Sequence, residues 1–401
     1  MEITILCKVV DNYGDIGFVY RLAKDISELY PDIELRLVVS DLSSFAAMAP
    51  FVRTDLARQG VKGWQIFDWN CESLCSKEFS TRIPEIILQC FQCERPEWLD
   101  EILFAPEQKK TVRIVNLEYL TAETWADDFH LLKSGTRSIF VKKVNFMPGF
   151  TKKTGGLVLG RQFLQFTASK EAAVEMLKDE LETELFKDVH TFCVTVFAYK
   201  RNFRHLVRAL KSFAEKRRKS DGLFKVHAFV ASGLACEPFE EAWKKEGCPF
   251  AITKLPYLRQ EAWDALLCAS DFNFVRGEDS FARACLCGNP FVWHAYPQDE
   301  EVHLLKVGAL LERIKAFVAD AELFQAVKEY FLLYNKRFPE ESGSGAKDEE
   351  LTEEKEELLL QKLLENYGGL KEAALAFSKE LIANGNLTEH LVKYLVEYLG
   401  R

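Results

Sequence analysis

Two stretches of the chain carry residues that could do chemistry, and the first lies near the amino terminus. It reads VVDNYGDIG (residues 9–17) and places Asp11 and Asp15 directly after an apolar run, residues 3–10. That run predicts a buried strand, and the glycines after it predict a turn into a helix. Because α/β proteins bind ligands at the carboxyl ends of strands, we interpret the turn as an active-site loop. It lacks the GxGxxG spacing of a pyrophosphate cradle. The alternative is a capped turn with solvated aspartates.

The second stretch is FVRGEDSFARAC (residues 274–285), where an apolar strand turns through a glycine and becomes a helix. The free amides of the helix start, the Ser280 hydroxyl and Arg276 together predict a diphosphate site. Glu278 and Asp279 would repel phosphate, so we expect them to bind sugar hydroxyls or a cationic partner. A capping motif with Asp279 or Ser280 at the N-cap is the structural alternative, and both can hold at once.

Other candidate residues lie at the end of one further predicted strand and shortly after another. Phe197 and Tyr199 could stack on a base or a sugar, although either ring could instead belong to the core. Gln260 offers both a donor and an acceptor, which suits the edge of a pyrimidine, and Tyr257 closes the strand before it.

Composition excludes several classes of protein. The formal charge of −9 over 401 residues argues against a nucleic-acid binder, and the one dense basic run, residues 216–219, lies late in a predicted helix. No apolar run reaches the roughly 18 residues of a membrane span. The 11 cysteines follow no signal peptide, which predicts reduced thiols in a cytoplasm.

Four of the cysteines have a spacing that could be proposed as a zinc site. They are Cys71, Cys75, Cys90 and Cys93. We favour core packing instead, because Cys90 lies within the apolar run EIILQCF and a chain of this size has no need of a metal to stabilise it.

Strand-like runs separated by helical segments predict two doubly wound α/β units in tandem. We place the first domain at residues 1–180, completed by a C-terminal helix at 380–401, and the second at 181–379, with an acidic loop near 340–357. A charged amphipathic helix at residues 170–187 is expected to carry the chain out of the first unit. The predicted strands are ELRLVVS (34–40), WQIF (64–67), EIILQCF (85–91), VRIVNLEYL (112–120) and IFVKKVNF (139–146), then TFCVTVFAY (191–199), KVHAFVAS (225–232), FAITKL (250–255), DFNFV (271–275) and NPFVWH (289–294).

Long strings of the sequence resemble one known family, the EarP protein-arginine rhamnosyltransferases of bacterial elongation factor P. The resemblance covers nearly the whole chain. It rests on VVDNYGDIG (9–17), NLEYLTAETW (116–125), FMPGFTKKTGGL (146–157), FVRGEDSFARA (274–284) and PFVWHAYPQDEEVHL (290–304).

The resemblance implies a GT-B fold, with two Rossmann-like domains facing a central cleft. The first domain would bind the acceptor and the second the nucleotide sugar. It also implies an inverting transfer of rhamnose from dTDP-β-L-rhamnose to an arginine of elongation factor P, which activates the factor for rescue of ribosomes stalled at polyproline. This bacterial cytoplasmic reaction would need no cofactor and no metal.

By motif, Asp11 and Asp15 match the family's acidic pair, with Asp15 as the general base, and Glu278 matches its catalytic glutamate. The nucleotide-sugar pocket is matched by Phe197, Tyr199, Gln260, Arg276, Asp279 and Ser280. This chain departs from the pattern at Tyr257, Arg259 and His294, which affects the packing of thymine.

Two other functions remain open. The chain could be a GT-B transferase with another acceptor, or a non-catalytic module whose acids bind a partner's arginine.

Overall fold

The structure is a computed structural model that describes residues 1–10, 13–336 and 346–399. The chain divides into two compact units, Met1–Gly160 with Asn384–Arg401, and Arg161–Ala383. The strands are β1 (Glu2–Cys7), β2 (Glu34–Val39), β3 (Arg58–Val61), β4 (Trp64–Asp68), β5 (Ile86–Cys90), β6 (Val112–Leu117), β7 (Lys133–Ser134), β8 (Val141–Phe146), β9 (Thr191–Val196), β10 (Lys225–Val230), β11 (Ala251–Lys254), β12 (Phe272–Arg276) and β13 (Phe291–His294).

Helices alternate with the strands in most of the chain. After β13 the described elements are all helical. The helices are α1 (Tyr13–Leu29), α2 (Leu42–Met48), α3 (Glu72–Thr81), α4 (Glu97–Leu103), α5 (Trp125–Phe129), α6 (Arg161–Ala168), α7 (Lys170–Leu177), α8 (Glu184–Lys187), α9 (Arg204–Arg218), α10 (Cys236–Lys245), α11 (Gln260–Ala269), α12 (Glu278–Leu286), α13 (His303–Ile314), α14 (Ala321–Tyr334), α15 (Ala346–Glu365), α16 (Tyr367–Ala383) and α17 (Leu387–Leu399). None of these helices is both long and apolar enough to cross a membrane.

The first unit is built on a sheet with the order β3-β4-β2-β1-β5-β6-β8-β7 in the described residues. The inner strands are parallel, and only the outer pairs β3–β4 and β7–β8 run antiparallel. Both faces of the sheet are covered. One packs on α1, α2 and α17, and the other packs on α3 and α4. Strands buried on both faces need continuous apolar runs, which is why these strands were predictable.

The C-terminal helix returns to the first unit. Leu387, Leu391 and Leu395 of α17 are fully buried in the same core as α1. Asn386, just before the helix, donates to Asp25 Oδ2 at 3.0 Å and accepts the Leu159 N–H at 3.2 Å. The last segment of the chain is therefore part of the core of the first unit.

The second unit is built on a parallel sheet with the order β11-β10-β9-β12-β13. Because these strands are parallel, their carboxyl ends share one edge. The predicted pocket residues lie at the end of β12 or after β9, β11 and β12, and therefore along this edge.

The unit boundaries differ from the predicted domain boundaries. The first unit ends at Gly160 instead of residue 180, because α6 and α7 pack against α11 of the second unit. The segment 170–187 is two helices, α7 and α8, instead of one. The chain returns from the second unit to the first between Ala383 and Asn384, close to the predicted residue 380.

Part of the acidic segment 340–357 falls within the described residues and is helical, because α15 begins at Ala346. Its Glu356 is 2% exposed and accepts from Arg201 Nη2 at 2.6 Å. Burial acts to raise the pKa of Glu356, but Arg201 and His205 outweigh it and hold that pKa below its ordinary value. One residue of this segment is therefore an internal anchor for α15.

Candidate active site

Asp15 lies in the first turn of α1, at the carboxyl end of β1, and is 3% exposed. Its Oδ2 accepts the Val10 N–H at 2.8 Å, and its Oδ1 accepts the Tyr119 O–H at 3.2 Å. The thiol of Cys7 is close enough that, after burial, the charge of Asp15 also raises the pKa of that thiol. Asp15 is thus a buried, oriented carboxylate rather than a solvated one. Asp11, the other predicted acid, lies outside the described residues.

A strained turn supports this part of the site. After β5, Phe91 and Gln92 both adopt left-handed backbone conformations, with φ of 59° and 51°. Such conformations cost on the order of 1–3 kcal/mol for non-glycine residues and cluster at functional sites. The turn stacks Phe91 on Tyr119, with ring centroids 4.5 Å apart, and sends Gln92 to Glu118. These residues could not be predicted as a turn, because a left-handed turn without glycine has no sequence pattern.

In the second unit, Arg276 at the end of β12 lies between two aromatic rings. Its guanidinium carbon is 4.7 Å from the ring centroid of Phe197 and 4.7 Å from that of Tyr199. Arg276 Nε is buried and has no hydrogen-bond partner in the described part of the chain. The rings follow β9, the neighbouring strand, so adjacent strand ends position all three groups. The result is a fixed cation with an uncommitted donor.

The helix start next to Arg276 has a glycine at its N-cap. Gly277 is the N-cap of α12, with φ of 70° and no side-chain cap. The predicted capping by Asp279 or Ser280 is therefore wrong, because both residues already lie inside the helix. Ser280 Oγ instead accepts from Trp263 Nε1 at 3.0 Å, which leaves the hydroxyl hydrogen to donate elsewhere.

The other predicted pocket residues lie around this helix start. Glu278 and Asp279 are in the first turn of α12 and partly exposed. Gln260 is the first residue of α11 and 8% exposed, and Tyr257 lies in the preceding loop with 48% of its surface exposed. Gln260 and Trp263 are three residues apart on α11 and therefore share a face of that helix.

Two further residues complete this cluster, Trp263, which the sequence did not mark, and His294, which it marked only as a departure from the family pattern. Trp263 contacts Phe197 edge-on, with centroids 5.2 Å apart. His294, at the end of β13, accepts the Tyr199 N–H through Nδ1 at 3.2 Å. Burial, and then the nearby cations Arg201 and Arg276, hold the pKa of His294 well below its usual value. His294 is therefore neutral, as the low pKa of its imidazole requires.

The four cysteines of the possible zinc pattern are not grouped as metal ligands in the described part of the chain. Burial raises the pKa of Cys75 to about 12 and that of Cys93 to about 11, and it also raises that of the fully buried Cys90. No group of three or more His, Cys, Asp or Glu side chains suited to a metal ion occurs within the described ranges.

The comparison with known proteins decides the family. A family model described as Elongation-Factor P (EF-P) rhamnosyltransferase EarP matches residues 3–396. The chain belongs to the EarP family. A protein-arginine rhamnosyltransferase of Shewanella oneidensis is 33% identical to this EarP-family chain over 329 residues, which cover 77% of this chain and 79% of the relative.

Solved structures agree with this assignment at the level of fold. A structure concerned with EarP-mediated arginine glycosylation of translation elongation factor EF-P covers 99% of both chains, with a TM-score of 0.58 and 20% identity. A UGT transferase of Siraitia grosvenorii in complex with UDP covers 99% of both chains, with a TM-score of 0.51 and 10% identity. This EarP-family chain has a GT-B-type fold and is a protein-arginine rhamnosyltransferase.

Proposed function

We propose that this enzyme transfers rhamnose from dTDP-β-L-rhamnose to a guanidino nitrogen of one arginine of translation elongation factor P, with inversion at the anomeric carbon. The observation that carries the proposal is the Arg276 guanidinium, which is held between Phe197 and Tyr199 beside the start of α12. The modified factor would then rescue ribosomes stalled at polyproline, which places the reaction in the bacterial cytoplasm.

The donor is proposed to bind at this edge of the second unit. Arg276, the Ser280 hydroxyl and the amides at the start of α12 suit the two phosphates, since helix starts and guanidinium groups both favour anions. Phe197, Tyr199, Tyr257 and Gln260 would bind the thymidine part. In this proposal Glu278 and Asp279 contact the sugar, and Glu278 acts in catalysis.

On the acceptor, the guanidinium has no lone pair to attack with while it is protonated, because its pKa is about 12.5–13.8. Attack must therefore be concerted with loss of a proton. We propose that the nitrogen bonds to the anomeric carbon while Asp15 takes the proton, with Asp11 helping to hold the guanidinium.

The bond from the anomeric carbon to the diphosphate oxygen breaks in the same step, and the electron pair leaves with dTDP. Since Arg276 and the helix amides can stabilise that charge, we propose that no metal ion is required. Attack and departure on opposite sides of the carbon convert the β-linked donor to an α-linked product.

The test is mass spectrometry of elongation factor P after incubation with the enzyme and dTDP-rhamnose. A gain of one deoxyhexose on a single arginine supports the proposal, NMR of the product gives its anomeric configuration, and EDTA should not slow the reaction. Transfer to a small acceptor in place of the factor would support the other acceptor class and overturn this one.

The variant Asp15→Asn separates catalysis from binding. We expect it to bind dTDP-rhamnose normally, measured by calorimetry, and to lose nearly all transfer. The matched control is Asp32→Asn, which changes an exposed carboxylate in the turn before β2. If Asp15→Asn transfers rhamnose at the wild-type rate, Asp15 is not the base.

A further inference from the structure

A polar groove runs along the carboxyl ends of β5, β6 and β8 in the first unit. We call it the Glu118 groove. It consists of an outer cavity of about 570 Å³ and an inner cavity of about 560 Å³, which share Gln89 and Gln92 in their walls. Gln89, Asn116 and Asn145 pair in register on adjacent strands. The apolar face of the sheet thus ends in a row of amides, which an apolar helix could not cover without burying unpaired polar groups.

The inner cavity presents hydrogen-bond acceptors. Glu118 is 7% exposed and accepts three hydrogen bonds, two from Gln92 Nε2 at 2.9 and 2.8 Å and one from Asn116 Nδ2. A carboxylate has about four acceptor positions. Asn116 is 3% exposed, and its Oδ1 has no hydrogen-bond partner among the described residues. Two buried acceptors therefore lie in one cavity beside Lys143, and a ligand that donates N–H groups matches them.

The charge of the groove is negative. Five carboxylates and three cations line the two cavities, so the net charge is −2. In the outer cavity Arg95 and Arg137 both lie next to Asp100, at 2.5 and 3.7 Å, so one positive charge of this group is not balanced by Asp100. The carboxylates that remain there are exposed: Glu94, Glu97 and Glu101. A basic partner fits this surface.

Two aromatic side chains form the rim of the inner cavity. Trp125 and Phe129 of α5 are 43% and 45% exposed, and their rings meet edge-on with centroids 5.4 Å apart. Half-exposed aromatic pairs beside a polar pocket are typical anchors of protein–protein interfaces. Next to carboxylates they also suit a stacked guanidinium or ammonium group.

The groove adjoins the proposed base. Tyr119, which donates to Asp15, directly follows Glu118 in the chain. The acceptor of a protein-arginine rhamnosyltransferase is a protein segment, and that segment must extend beyond its modified arginine. We propose that the Glu118 groove binds the acceptor protein next to the modified arginine and takes a second basic side chain, an arginine or a lysine. This inference rests on the proposed function.

Kinetics with elongation factor P test the groove. The double variant Glu97→Lys/Glu101→Lys changes two exposed carboxylates one turn apart on α4, and Glu118→Gln removes the buried charge. We expect each to raise KM for the factor roughly tenfold or more, as loss of interface charge pairs does. KM for dTDP-rhamnose should not change. The control Glu107→Lys changes an exposed carboxylate before β6, at the opposite edge of the sheet.

Salt provides an independent readout of the same charges. For the wild type, KM for the factor should rise with salt, and the double variant should flatten that dependence. If KM and its salt dependence are the same in wild type and double variant, the inference is wrong. If the wild type does not modify the factor at all, the proposed function fails instead.

Crosslinking locates the partner directly without relying on a folded Glu118 variant. The photoreactive analogue p-benzoylphenylalanine placed at position 129 should crosslink to the factor within a few residues of the modified arginine. Position 139, an isoleucine that is 77% exposed before β8, is the control and should not crosslink. Crosslinks at 139 but not at 129 would overturn the inference.

Discussion

Tyr119 connects two parts of the first unit through opposite ends of its side chain. The ring stacks on Phe91, and the hydroxyl donates to Asp15. The ring contact is structural, whereas the hydrogen bond orients a group that we propose to be catalytic. The two contributions can be separated, because phenylalanine retains the ring and removes only the hydroxyl.

Tyr119→Phe should lower kcat about tenfold with little change in either KM, because a neutral hydrogen bond to the base contributes about 1 kcal/mol or more to its orientation. Steady-state kinetics with both substrates measures this, alongside thermal unfolding. The control is Tyr30→Phe, at the end of α1 away from Asp15. A reduced melting temperature with unchanged kcat would show that the hydroxyl has only a structural role.

At Arg276, the proposed binding of the donor depends on the planar shape of the guanidinium group. Lysine would keep the charge but lose the planar group that stacks between Phe197 and Tyr199. Arg276→Lys should therefore raise KM for dTDP-rhamnose roughly tenfold and leave KM for elongation factor P unchanged. Arg204→Lys, on an ion pair of α9, is the matched control. Equal donor affinity in both variants would contradict the proposed phosphate site.

At the scale of elements, the start of α12 depends on one glycine. Gly277 has φ of 70° and ψ of 165°, and a Cβ there would meet no atom within 4 Å. Gly277→Ala therefore costs only backbone strain, about 1–3 kcal/mol. Denaturant unfolding should show this loss together with weaker donor binding. Gly308→Ala, within α13, also has open space and should stabilise the protein by about 0.5–1 kcal/mol.

The anchor of α15 is a second test at this scale. Glu356 binds Arg201, whose guanidinium lies 3.9 Å from the ring centroid of Tyr334. Glu356→Gln leaves a buried cation without its counter-charge, so we expect a loss of about 3–5 kcal/mol of unfolding free energy. The exposed neighbour Glu354→Gln should change stability by less than about 0.5 kcal/mol. Similar unfolding curves for both variants would show that the ion pair is not needed.

The elements that sequence could predict are those with a strong apolar pattern. The core strands, such as β1, β6 and β9, were located because both of their faces are buried. The short antiparallel edge strands β3 and β7 were not predicted, since a strand such as β7, with two exposed residues, carries no pattern. The left-handed turn at Phe91 and Gln92 was also missed, because only tertiary contacts stabilise it.

At the scale of the whole molecule, acid should destabilise the protein before its carboxylates titrate. Burial lowers the pKa of His205 and His130 to about 4, and it also lowers that of His294. Between pH 6.5 and 4 the unfolded chain binds protons that the folded chain does not, so stability falls as pH falls. For the fully buried His205, the free energy of unfolding is expected to be lower by about 2 kcal/mol at pH 5 than above pH 6.5.

Urea unfolding at pH 7, 6 and 5 measures this effect, and His205→Gln should flatten the dependence. Glu118 and Asp271, whose pKa burial raises, act in the opposite sense near the acid end of this range. A midpoint that does not fall between pH 7 and pH 5 would contradict the prediction.

The positions of the candidate pocket residues within the second unit could be predicted from sequence, because each of them lies at the end of a predicted strand or shortly after it. What the sequence could not supply is the set of contacts between distant residues. Tyr119 lies 104 positions from Asp15, and the Trp263 ring reaches Ser280 across 17 positions. The domain boundary was misplaced for the same reason, because only packing shows that α6 and α7 belong to the second unit.

The return of α17 to the first unit has a consequence for synthesis of the chain. Residues 161–383 are in effect an insertion within the first unit, so they leave the ribosome before α17 does. Domains fold as units during translation, usually from the amino terminus onward. Here that order is reversed, because the unit that begins the chain cannot bury its core until the last helix has been made. A nascent chain stopped before Leu387 would therefore contain a finished second unit and an unfinished first one.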